Sequence, residues 1–70
     1  MYYICGNSAD GPVYYDGSSL AAIDMWIDSK NDCTRFYSLE AAQEIAEALT
    51  ILESGKEPDE KIGHIEALPF

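Results

Sequence analysis

Seventy residues carry thirteen acidic side chains against four basic ones, a formal net charge of −9, and so make one small domain (residues 1–70) with little material for a reaction pocket. A negative field of that strength repels nucleic acid and anionic lipid and attracts basic proteins, so direct nucleic-acid binding is the function composition opposes most firmly. The apolar fraction of 47% is that of a folded protein, and no run approaches the ~20 apolar residues of a membrane span.

Tyr2-Tyr3-Ile4-Cys5 has the aromatic and β-branched character of a strand. Asn7-Ser8-Ala9-Asp10-Gly11-Pro12 follows with dense turn chemistry, and Val13-Tyr14-Tyr15-Asp16 reads as the returning strand of a hairpin that Asp16-Gly17 closes. Over residues 20–28, a strand would place Ala21, Ile23, Met25 and Ile27 on one face and Asp24, Trp26 and Asp28 on the other. A helix capped by Ser18 or Ser19 would instead align Leu20, Ile23 and Ile27. Alternation covers the whole segment and favours the strand. Ser29 to Cys33 suits a tight turn, and Thr34-Arg35-Phe36 a short strand after it.

The clearest element is a helix over residues 38–54. Ser38 can accept from a free backbone N–H of the first turn, and Glu40 sits where the helix dipole favours an anion. Leu39, Ala42, Ile45, Ala46, Leu49 and Leu52 recur at helical spacing as one apolar stripe. Gly55 is placed to end the helix and Pro58 to prevent its resumption. Residues 61–68 supply a last strand, ended by Pro69. The expected architecture is α+β: a small antiparallel sheet of four to five short strands packed on one amphipathic helix.

The acids are unevenly spread. Asp10, Asp16, Asp24 and Asp28 precede any basic residue, and Glu40, Glu44, Glu47 and Glu53 have none among residues 36–55. Glu40, Glu44 and Glu47 form a stripe on the helix side away from Leu39, Ile45 and Leu49. Like charges at these spacings cost about what a Glu–Lys pair contributes, roughly 0.2–0.5 kcal/mol. Two readings follow. One is a solvated face that keeps a small protein soluble; the other is a surface of carboxylates spaced to occupy arginines and lysines that otherwise hold phosphates. Asp24, Asp28, Asp59 and Glu60 are the candidate second cluster. The pairs Tyr2-Tyr3 and Tyr14-Tyr15 each send one ring away from the core face, which nominates Tyr3 and Tyr14 as partner contacts, or as a cross-strand pair.

Other chemistry finds little support. His64 with Cys5 and Cys33 lacks metal-ligand spacing, so neither metal nor cofactor is expected, and His64 reads as a satisfied structural histidine. Nothing local activates either thiol as a nucleophile, and no enzyme activity is expected. The N-terminal residues lack a basic region followed by a long apolar run, so no signal peptide is expected. The expected compartment is then the cytosol, with Cys5 and Cys33 as free, small apolar residues.

From Trp26-Ile27-Asp28 through Thr34-Arg35-Phe36-Tyr37-Ser38-Leu39-Glu40-Ala41-Ala42, the chain resembles small phage-encoded proteins of the hairpin-plus-helix type, with Cys33 where alanine is usual. The resemblance covers about 45 residues and implies the sheet-plus-helix architecture. In size and charge the chain is also similar to anti-CRISPR inhibitors and nucleic-acid mimics. That similarity implies an inhibitor docking on a basic protein, a nucleic-acid-binding effector complex, without touching nucleic acid or membrane. Two alternatives stand beside it: an immunity or antitoxin-like protein neutralising a basic toxin, and an accessory phage protein that self-associates as a homodimer.

Overall fold

The computed structural model describes residues 1–17 and 25–70. Most of the alternation expected over residues 20–28, and Asp24 with it, lies outside the described residues.

β1 (Tyr2–Ser8) and β2 (Gly11–Tyr15) form a hairpin with Cys5 opposite Tyr14 and Ser8 opposite Gly11. The turn is tighter than its six turn-forming residues suggest, only Ala9 and Asp10 lying between the strands, and β2 ends at Tyr15, just before Asp16-Gly17. The Ser8 hydroxyl donates to the Gly11 carbonyl at 2.8 Å and accepts from the Asp10 N–H at 3.2 Å. Gly11 takes φ 123°, a conformation that a Cβ would strain.

β3 (Trp26–Ile27) pairs with β2, and β4 (Gly63–Pro69) pairs with β1, giving the antiparallel order β3-β2-β1-β4. The helix α1 (Leu39–Ser54) covers one face of this sheet, chiefly over β1 and β4. Among the described residues the fold is thus α+β, one four-stranded antiparallel sheet and one α-helix. Two expected strands change. Thr34-Arg35-Phe36 forms only an isolated bridge, Phe36 exchanging hydrogen bonds of 2.8 and 2.9 Å with Tyr2. β4 begins at Gly63 and includes Pro69, which an edge strand tolerates because the missing N–H breaks no ladder there.

β1 lies inside the sheet with Ile4 packed toward α1 and Tyr3 packed against Tyr14 and Phe70, which explains why its apolar residues run continuously instead of alternating. Ile4 is fully buried against Ala42, Ala46 and Leu49 of α1. The two alanines let the helix approach closely, and Tyr15, Trp26, Phe36, Ile65 and Ala67 fill in around them. Ser38 caps α1 by accepting from the Ala41 N–H at 3.3 Å. At the far end Gly55 keeps a right-handed φ of −85°, so the helix closes without the left-handed turn that glycine often supplies.

The buried helix positions are Ala42, Ala46, Leu49 and Glu53, a 4-3-4 step. This rotates the expected stripe: Leu52 is 60% exposed and Leu39 38%, while Glu53 is buried. At about 100° per residue, position 53 returns to the face of 49 and 46, and position 52 does not.

Between β1 and β4 the register slips. Cys5 opposes Glu66 but Asn7 opposes Gly63, so Gly6 faces both His64 and Ile65, a β-bulge. His64 is exposed with φ 51°. Its structural role is carried by the backbone, not by a satisfied ring. Gly6 is needed because a Cβ there would lie 2.5 Å from Ile62 Cγ2.

Candidate partner-binding surface

Glu40, Glu44 and Glu47 are all exposed on the side of α1 opposite its contact with the sheet. Their isolation follows from where the cations go. Lys30 Nζ lies 4.6 Å from the Tyr3 ring centre and 5.1 Å from that of Phe70. The Arg35 guanidinium lies 4.1 Å over Phe70 and donates to the Asn31 carbonyl at 3.1 Å. Lys56 pairs with Glu53 at 2.6 Å. Three of the four basic residues in the chain are therefore engaged elsewhere, two of them on the sheet face that α1 does not cover. The fourth, Lys61, is exposed in the segment leading to β4.

The same far-face cluster corrects the expectation for tyrosine. Tyr3 is only 8% exposed, held between Tyr14 at 5.9 Å and Phe70 at 5.7 Å between ring centres. It is a packing residue under Lys30, not a surface contact, and Tyr14 is half-buried beside it. The cross-strand pairing offered as the alternative is the arrangement present.

Asp28, Asp59 and Glu60 are exposed, but they do not form one cluster. Asp28 leaves β3 at one edge of the sheet, whereas Asp59 and Glu60 lead into β4 at the other. Asp59 and Glu60 follow the C-terminal end of α1. Asp24 lies outside the described residues.

Sequence reasoning missed an apolar feature beside the ridge. Ile51 is 67% exposed, and with Glu40, Glu44 and Glu47 it continues the outward 4-3-4 spacing. Next to it a hollow of about 260 Å³ is lined by Tyr15, Met25, Ile45, Ala48, Leu49 and Leu52. The signal was the run Leu49-Thr50-Ile51-Leu52, whose apolar residues cannot all face one side of a helix.

Neither thiol is prepared for nucleophilic work. Burial pushes the Cys5 thiol above its ordinary pKa and Glu66 adds to this, with Lys30 opposing. Burial likewise raises Cys33, against the pull of Arg35 and Lys30. Both stay protonated at neutral pH, as small apolar groups.

No family model matches the chain, and no curated protein or solved structure is significantly similar to it. Among the described residues, no helix is long and apolar enough to cross a membrane.

Proposed function

We propose that this protein is an inhibitor of the phage-encoded, anti-CRISPR type, which lays the outward face of α1 on the basic nucleic-acid-binding surface of a bacterial effector. The supporting observation is the exposed ridge of Glu40, Glu44 and Glu47, with no cation on its helix and three of the chain's four cations engaged elsewhere. Like charges at these spacings work against the helix, so the ridge is better explained by a cationic surface that meets it than by the helix's own stability. Its carboxylates compete with phosphates for the same arginines and lysines, and complementary fields speed the encounter at low salt. Asp59 and Glu60 extend the contact beyond the helix end.

The test is a titration of the purified protein into reconstituted CRISPR effector complexes, with target-DNA binding read by gel shift at low and high salt. The parent should displace DNA, more strongly at low salt, and a Glu40→Lys/Glu44→Lys/Glu47→Lys variant should not. A triple reversal that inhibits as well as the parent would reduce the ridge to a solvated face.

A further inference from the structure

We infer that the hollow beside α1 is a socket for one bulky apolar side chain of a basic protein partner, presented between arginine or lysine residues. This rests on the reading of the α1 ridge above and adds the anchor that charge alone does not supply.

Among the described residues, α1 sits over β1 and β4, so that the β2–β3 half of the same sheet face meets the flank of the helix and leaves the hollow between them. Tyr15 and Met25 form the sheet wall, and Ile45, Ala48 and Leu52 the helix wall. Backbone bonds hold the sheet wall in place. The Asp16 N–H donates to the Met25 carbonyl at 2.7 Å, and the Thr34 N–H to the Tyr15 carbonyl at 3.0 Å. Leu52 and Ile51, 60% and 67% exposed, carry the apolar surface out of the hollow onto the ridge.

The charge around the hollow selects the occupant. Ala48 lies one turn beyond Glu44, and Ile51 one turn beyond Glu47, so each apolar position has a carboxylate as its helical neighbour. Among the described residues that line the hollow, none is basic. An apolar centre with a charged rim is the usual anatomy of a specific interface, and a single large side chain seated in such a centre carries much of the affinity. An acidic partner is repelled here, and an uncharged apolar one gains nothing from the rim. A segment that places phenylalanine, leucine or methionine between cations satisfies both.

The probe is a synthetic peptide with a central phenylalanine flanked by arginines, titrated into the full chain and followed by methyl NMR. Control peptides carry serine for the phenylalanine or glutamate for the arginines. The parent peptide should shift the Met25, Ile45 and Leu52 methyl signals, and both controls should fail to do so. Leu52→Ser, at an exposed position that leaves the fold intact, should weaken binding about tenfold. Glu44→Gln should weaken it less and flatten its salt dependence. Equal affinity for Leu52→Ser, or shifts confined to the Tyr3–Phe70 face, would overturn the socket. Contacts from the Met25 methyl to Leu20 or Ile23 in the peptide-free protein would overturn it too, by giving the hollow an occupant from the chain itself. The two proposals fail separately. If charge reversal abolishes effector inhibition while Leu52→Ser does not, the ridge stands and the socket falls. If the peptide binds through Leu52 but no effector is inhibited, the socket stands alone.

Discussion

The Glu53 carboxylate, buried at the C-terminal end of α1, accepts a hydrogen bond of 2.9 Å from the backbone N–H of Ile62 and thereby ties the helix to the entry of β4. Lys56, 44% exposed, pairs with the second oxygen of the same carboxylate. Glu53→Ala leaves a half-buried N–H without its acceptor and should lower stability by about 1–3 kcal/mol in urea unfolding. Glu53→Gln keeps an acceptor of the same shape and should cost about half as much. Lys56→Ala removes only a half-exposed partner and should cost under about 1 kcal/mol. Equal losses for Glu53→Ala and Lys56→Ala would mean that the carboxylate does not act as a clip.

At the bulge, His64 holds a left-handed φ of 51° with its ring in solvent. The conformation costs a non-glycine residue roughly 1–2 kcal/mol, and a β-branched residue more. His64→Gly should therefore leave stability unchanged or raise it by up to about 1 kcal/mol, and His64→Val should lower it by about the same amount or more. A stabilising valine, seen as a raised melting temperature, would contradict the bulge geometry.

Across from it, a Cβ on Gly6 would meet Ile62 Cγ2 at 2.5 Å and the Gly63 carbonyl and Ile65 Cγ1 at 3.3 Å. Gly6→Ala should cost about 1–3 kcal/mol, as overpacking does. Ile62→Ala in the same chain should return part of that loss, because it removes the nearest clashing atom. Additive effects in this double-mutant cycle would place the strain elsewhere.

These two residues mark the limit of what the sequence discloses. The capping of α1 by Ser38 and the β1–β2 hairpin are local, set by residues within a few positions of one another, and both were legible. The pairing of β4 with β1 sets Tyr3 against Leu68 across most of the chain, and nothing local encodes its register or its bulge. The inward turn of Glu53 was written in the 42-46-49-53 step, but apolar Leu52 next to it was the more obvious candidate for the core. The exposed ridge of Glu40, Glu44 and Glu47 was legible because it is a property of one helix. The diversion of Lys30 and Arg35 onto Phe70 was not, since it depends on which strand ends meet on the far face.

The two raised thiols give a pH dependence of defined sign. As pH rises through the ordinary thiol range, the unfolded chain loses these protons before the folded one does. Their contribution is intact below that range and falls as pH climbs toward the folded values. The stability advantage of the parent over Cys5→Ala/Cys33→Ala should thus be constant around neutrality and shrink in alkaline buffer. An advantage that grows with pH would reverse the assignment of burial as the dominant cause.

The ridge on α1 makes a prediction that does not require the partner to be known. Glu40 and Glu44 are four residues apart, Glu44 and Glu47 three, and each like-charged pair at such spacing costs an isolated helix a few tenths of a kcal/mol. Replacing Glu44 and Glu47 with glutamine removes both repulsive pairs at nearly the same size and helix propensity and leaves Glu40 to the helix dipole, so the urea midpoint should rise modestly, and by less as salt screens the charges. The same variant should lose inhibition in the effector titration. A surface shaped for solubility alone would gain stability from the change and lose no binding, whereas a surface shaped for a partner trades one against the other. A double variant that is neither more stable nor weaker in binding would remove the ridge from both accounts.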